Sequence, residues 1–291
     1  MPEGLVFKST GARFEFSHEE WSHLHPHHTD KAGIFQSLYN LLKLHYAATL
    51  SMQKVQSIFL NQPFTSRPYI VGVTGSVSVG KSEFSKFLLA SLKKWGMYSS
   101  VQLITTDSFL FPLEILRKRG LIDRKGFPES YDRAMIFDFL NSTKCGCDYK
   151  VPIYSHEVYD VIAGHYQNIH SPDIIILEGV NVCQIDKMSP ENILDFVDFS
   201  IYLDAPEELI KSWYVERFIR LKTEAAQGKK SYFSQFKNLS TFQVEAIARK
   251  RWDLINSINL RENILPSRDN ADLIIEKSAG HMIDRLRLRA F

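Results

Sequence analysis

The 291-residue chain is short of cysteine, of charge of one sign and of long apolar runs, and each shortage removes a class of protein. Its three cysteines, Cys145, Cys147 and Cys183, cannot build a disulfide framework and fit a reducing cytoplasm. Cys145-Gly146-Cys147 offers two thiolates where a structural zinc ion needs four ligands, so it reads as loop. Lysine and arginine number 35 against 33 acids, and a balance of +2 makes no electrostatic case for nucleic acid or a membrane surface. No apolar run is long enough for a membrane-spanning helix. The opening stretch Met1-Pro2-Glu3-Gly4-Leu5-Val6-Phe7-Lys8 lacks a basic segment followed by an apolar one, so secretion is not expected and a cytoplasmic location is. Internal repeats and low-complexity tracts are absent too.

What is present is ordinary globular composition, 44% hydrophobic and 23% charged, in a chain long enough for one large domain. Residues 1–33 form a polar N-terminal segment with His18, His23, His25, His27 and His28. Pro26 and the mixed spacing give these histidines no common helical face, so the segment reads as solvated loop rather than metal site. Residues 34–291 read as a single domain. Ile34, Leu38, Leu41, Leu42, Leu44, Ala48 and Leu50 recur at helical spacing. Beyond them, apolar runs alternate with helical patterns. Strands are expected at Tyr69–Thr74, Val101–Thr105, Asp173–Leu177, Phe199–Leu203 and Ala271–Glu276. Helices are expected at Ser82–Lys94, Tyr131–Asn141, Glu207–Ala226, Thr241–Ile258 and His281–Arg289. Nearly continuous apolar strands separated by helices predict an α/β fold of three layers, a mostly parallel sheet with helices on both faces.

Gly75-Ser76-Val77-Ser78-Val79-Gly80-Lys81-Ser82 matches G-x-x-x-x-G-K-[ST], the phosphate-binding P-loop. It lies between an apolar strand and an amphipathic helix, the context the motif requires. Backbone N–H groups of the turn and the positive end of the helix converge on an anion. Lys81 then reaches the β- and γ-phosphates of a nucleoside triphosphate, and the Ser82 hydroxyl is a ligand for Mg²⁺. In such a sheet ligands sit beyond the carboxyl ends of the strands, where two acids fall. Asp107, after Ile104-Thr105-Thr106, is either a proton acceptor for an attacking alcohol or the cap of a loop turn. Glu178 ends Asp173-Ile174-Ile175-Ile176-Leu177, where it positions Mg²⁺, orients an acceptor or is simply a strand-end acid. A GTPase is not supported, because no Asn-Lys-x-Asp motif occurs. A kinase acting on some other alcohol and a non-catalytic nucleotide sensor are the competing readings.

On these segments the chain resembles the prokaryotic type I pantothenate kinases over roughly residues 35–291. The likeness runs through the P-loop, Leu103-Ile104-Thr105-Thr106-Asp107, Lys125-Gly126-Phe127-Pro128-Glu129-Ser130-Tyr131-Asp132 and Pro152-Ile153-Tyr154-Ser155-His156 with Tyr159-Asp160-Val161. It continues through Ile176-Leu177-Glu178-Gly179-Val180-Asn181-Val182, Trp213-Tyr214 with Arg217-Phe218, Asn263-Ile264-Leu265-Pro266 and Lys277-Ser278-Ala279. The resemblance implies transfer of the γ-phosphoryl of ATP to pantothenate, the first step of coenzyme A synthesis, with Mg²⁺, in a homodimer inhibited by coenzyme A. It makes Asp107 the base toward the primary hydroxyl. Tyr154, His156, Tyr214 and Asn256 become pantothenate contacts, and Arg217 a phosphate contact. Lys277 and His281 fall near adenine, and Phe218, Tyr232 and Phe233 form an aromatic wall for the substrate tail. The chain departs from the family's pattern in a shorter stretch between Trp21 and Ile34, in Ser108 for a customary glycine, and in Lys86 for a customary arginine. Lysine keeps the charge but loses the planar fork, which implies weaker feedback by coenzyme A.

Overall fold

A computed structural model describes residues 8–9, 13–24, 31–94, 98, 100–227 and 231–290. Strands β1 (Lys8–Ser9) and β2 (Arg13–Ser17) are followed by α1 (His18–His23) and the long α2 (Lys31–Phe59). The P-loop unit is β3 (Tyr69–Gly75) and α3 (Lys81–Lys94), and β4 (Val101–Thr105) leads into a 3₁₀ turn at Thr106–Phe109. Helices α4 (Leu113–Lys118) and α5 (Arg133–Lys144) precede a hairpin of β5 (Tyr149–Ser155) and β6 (Asp160–Ile169). Then come β7 (Ile174–Glu178), β8 (Phe199–Asp204), α6 (Glu207–Ala226), α7 (Thr241–Arg251), β9 (Leu273–Lys277) and β10 (Ile283–Arg289).

The main sheet has the order β1-β2-β10-β9-β8-β3-β7-β4. Its pairs from β4 to β9 are parallel, and β10, β2 and β1 add antiparallel strands at one edge. Side chains alternate across a strand, so β3 and β7 feed two cores. Val71, Val73, Ile174 and Ile176 pack in one core with Leu38 and Leu42 of α2 and Leu88 of α3. Ile70, Ile175 and Leu177 pack in the other with Ile136, Phe139 and Leu140 of α5 and with Val151 and Ile169 of the hairpin. These two faces are the covering layers that the apolar strands require.

Three expectations need correction. The stretch His281–Arg289 is not helix: Ile283–Arg289 is β10, where Leu286 is buried and Arg287 reaches Glu276 at 2.6 Å. An Arg-Leu alternation suits a strand with one wet face better than a helix. Residues 13–23 are not solvated loop, because β2 pairs with β10, and Phe16 and Trp21 are buried edge-to-face, ring centroids 5.3 Å apart. Among the described residues, His18 and His23 lie on α1, capped by a reciprocal Ser17–Glu20 box; His25, His27 and His28 lie outside the described residues. The helix expected over Thr241–Ile258 is α-helical to Arg251, π-helical over Trp252–Asn256 and α-helical again over Ser257–Asn259, before a second π-helical turn at Leu260–Ile264.

Candidate active site

The P-loop takes its shape from backbone that only particular residues tolerate. Gly75 sits at φ 135°, and a Cβ there would lie 2.3 Å from the Leu203 carbonyl oxygen of β8. The strand pair therefore closes only over glycine. Ser78 at φ 64° and Gly80 at φ 97° turn the chain into α3, whose first turn begins with Lys81 and Ser82. Val79 is fully buried behind the loop, while Val77, Ser78, Gly80, Lys81 and Ser82 line a cavity of about 1050 Å³. The Lys81 ammonium donates to the Ser76 carbonyl oxygen at 2.8 Å. Burial pushes its pKa down, and the charges of Glu178 and Asp107 work against that.

Glu178, at the carboxyl end of β7, is 8% exposed. Burial raises its pKa and Lys81 opposes the rise. The Ser82 hydroxyl donates toward both of its carboxylate oxygens at 3.3 Å. The next residue, Gly179, brings the second acid close: a Cβ there would fall 1.8 Å from Thr106 Oγ1, so the ends of β7 and β4 touch. Asp107 follows Thr106 in the 3₁₀ turn, its N–H donating to Thr105 Oγ1 at 3.3 Å. Its carboxylate is felt on both sides of the cavity. It raises the pKa of Lys81 on the phosphate side and of His156 and Lys125 on the opposite side.

That opposite side is built by the hairpin, α6 and the π-helical turn. Tyr154 on β5 and His156 at the tip meet edge-to-face, centroids 5.1 Å apart. Burial holds the imidazole below its usual pKa, so His156 is neutral over most of the physiological range. Tyr214 on α6 and Asn256, which the π-helical turn presents, line the same cavity. Arg217, one turn on from Tyr214, lines the same cavity. Tyr232, Phe233 and Phe218 also line it, and Phe218 meets Phe233 edge-to-face at 5.1 Å. Phe218 and Phe233 are at once wall and core, since Val244 and Ala248 of α7 pack in the same cluster.

At the other end, His281 lies in the cavity lining and stacks on Trp213 with centroids 3.8 Å apart. Lys277 ties the P-loop to His281: its ammonium donates to the Val79 carbonyl oxygen at 2.9 Å and lies 3.4 Å from His281 Nδ1. Thus the structure gathers Asp107, Glu178, Arg217, Tyr154, His156, Tyr214, Tyr232, Asn256 and His281 around one cavity, with Lys277 outside its lining.

Residues 70–234, more than half of the chain, match the phosphoribulokinase / uridine kinase family. A pantothenate kinase of Halalkalibacterium halodurans is 45% identical over 263 residues, covering 89% of this chain and 83% of that protein. One from Yersinia pestis is 44% identical over 264 residues, covering 89% and 84%. The chain belongs to the pantothenate kinases of this P-loop family. Among solved structures, D-glycerate 3-kinase from Cryptococcus neoformans superposes with a TM-score of 0.55 at 14% identity, over 84% of this chain and 97% of that one. At that identity the likeness to a sugar-acid kinase is one of fold.

The cavity lining includes residues to which sequence reasoning assigned no role. Lys125 is held against the hairpin, donating to the Tyr154 hydroxyl at 3.2 Å and to the Tyr159 carbonyl oxygen. Desolvation brings its pKa down to about 8 despite Asp107 and Asp160. Tyr159, Trp213 and Arg251 line the cavity as well. A lone charge in a polar loop carries no periodic signal, so only proximity in the folded chain reveals Lys125. Trp213 follows the helical spacing of α6 and reads there as core.

Proposed function

We propose that the chain transfers the γ-phosphoryl group of ATP to the primary hydroxyl of pantothenate, giving phosphopantothenate. The observation that carries this reading is the position of Asp107, a carboxylate electrostatically coupled to the P-loop lysine and to the histidine and lysine opposite it. A base for alcohol phosphorylation must stand between nucleotide and acceptor. Asp107 accepts the hydroxyl proton as the oxygen attacks phosphorus and ADP leaves. Lys81 and Arg217 neutralise charge on the transferred group. Tyr154, His156, Tyr214, Asn256 and Tyr232 hold the acceptor, whose amide, carboxylate and hydroxyls match their donors and acceptors. The P-loop from Gly75 to Ser82 holds the phosphates. His281 meets the base, with Lys277 bracing the loop behind it.

Ser82 and Glu178 fit a magnesium ion. They present hard oxygen donors within 3.3 Å of each other, and Glu178 is a buried acid with Lys81 as its main opposing cation. When bound with the phosphates the ion supplies charge neutralisation at the transferred group. Coenzyme A, with its own phosphates, competes for the same cavity, where Lys86 offers a point charge to them. Three free cysteines agree with work in the cytoplasm.

The active unit is a homodimer. From residue 47 to Phe59, α2 buries no side chain, yet it exposes Met52 at 59%, Val55 at 58%, Ile58 at 78% and Phe59 at 86%. A helical half of this length is marginal alone in water, and a stripe of large apolar side chains marks an interface. Replacing Ile58 and Val55 together by Glu should yield a monomer by size-exclusion chromatography with light scattering; an unchanged dimer mass would remove α2 from the interface.

The function itself is tested by coupled ADP release with ATP, Mg²⁺ and pantothenate, and uridine as control acceptor. Release that depends on pantothenate and falls with added coenzyme A is expected. ATP binding without pantothenate-dependent release would refute the acceptor assignment.

A further inference from the structure

Tyr159 closes the tip of the β5–β6 hairpin with φ 59°, a left-handed conformation that glycine or asparagine ordinarily supplies. The turn itself gives no reason for tyrosine. Backbone strain at a site lined by reactive groups points to a role for the side chain, and the contacts of this ring are specific. The Lys125 ammonium lies 3.8 Å from its centroid. Tyr232 stacks on it with centroids 4.8 Å apart. The Arg251 guanidinium stands 5.8 Å from the Tyr232 ring. The backbone adds a tie, as Tyr232 N–H donates to the Glu157 carbonyl oxygen at 2.8 Å.

We infer that Tyr159 is a positioning residue that holds the Lys125 ammonium at the acceptor end of the cavity and fixes the hairpin bearing Tyr154 and His156. The inference deepens the proposed function and rests on it for the identity of the acceptor. The aromatic face attracts the desolvated ammonium, while the Tyr159 carbonyl and the Tyr154 hydroxyl take its protons as hydrogen bonds. A lysine has four rotatable bonds, and without the ring its ammonium would keep those two hydrogen bonds but lose the face that confines it from a third side, loosening its aim at a substrate carboxylate or amide. The strain of the turn is the cost of placing a ring there.

Tyr159→Gly suits the left-handed backbone and removes the ring; Tyr159→Phe keeps the ring; Tyr159→Leu guards against a glycine variant that fails to fold. The Gly or Leu variant should raise KM for pantothenate by roughly tenfold, the scale of one desolvated cation–π contact. KM for ATP should stay near wild type, and Tyr159→Phe should restore the pantothenate KM. In a Lys125→Met background the loss of the ring should add little, since the two act as one unit. An unchanged pantothenate KM, or equal rises in both KM values, would overturn the inference. A readout without substrate separates this from the function: acetylation of the full chain by acetic anhydride, followed by proteolysis and mass spectrometry of the peptide that carries Lys125. Faster acetylation in Tyr159→Gly, but not in Tyr159→Phe, upholds the positioning role even if pantothenate is not the acceptor; equal rates in all forms refute it.

Discussion

Asp107→Asn is expected to bind ATP as the wild type does and to lower kcat by about two to four orders of magnitude, the usual worth of a positioned general base. Asparagine has the same shape, and the backbone bond from the Asp107 N–H to Thr105 Oγ1 does not involve the replaced group. What is lost is the negative charge at the meeting point of the two half-sites. That charge also raises the pKa of Lys125, which stands at about 8. In the variant the lysine should lose its proton at lower pH, so the residual activity should fade on the alkaline side earlier than in the wild type. Coupled ADP release against pH measures both effects. Turnover within a few-fold of wild type would remove Asp107 from the role of base.

Lys81→Met should cost about two to three orders of magnitude in kcat through loss of charge stabilisation at the transferred phosphoryl. It should also change how stability depends on pH. Glu178 is buried, and Lys81 is the largest influence holding its pKa down. With the ammonium gone, the carboxyl rises further above its unfolded value. A carboxyl with a raised folded pKa favours the native state while protonated and penalises it as pH rises through that folded pKa. The melting temperature of Lys81→Met should therefore fall more steeply than that of the wild type as pH rises from the ordinary carboxylate range. Parallel melting curves for the two proteins over that rise would show that Glu178 does not depend on Lys81.

The central parallel strands were legible because burial on both faces leaves an almost unbroken apolar run, as in β3 and β7, where every residue is buried. The P-loop was legible because its glycines answer to backbone geometry. The edge of the sheet was not. In β10 apolar and basic residues alternate imperfectly, Ile283, Leu286 and Leu288 among arginines, and pairing with β9 and β2 decides the outcome. The hairpin β5–β6 lies mostly half-exposed and lacks a strong pattern. The π-helical turns that present Asn256 change hydrogen-bond registry without a sequence mark. Site residues next to a strand end or the motif could be placed by topology. Lys125 and Tyr159 come from loops, and only their mutual approach in three dimensions distinguishes them.

The pairing of β2 with β10 has a consequence for the order of assembly during synthesis. Phe16 lies opposite Leu286, and Arg13 donates to the Asp272 carbonyl oxygen across 259 positions of sequence. While the ribosome is still producing α6 and α7, β2 has only the two-residue β1 to pair with, and Phe16 waits without Leu286 opposite it. The P-loop unit and the parallel strands have every partner they need by the time β9 emerges. The sheet is thus completed from the middle outward, with the first strands made among the last to dock. Such long-range closure is slow. A nascent chain stalled before residue 283 should carry a formed nucleotide cradle and a loose, chaperone-accessible N-terminal arm.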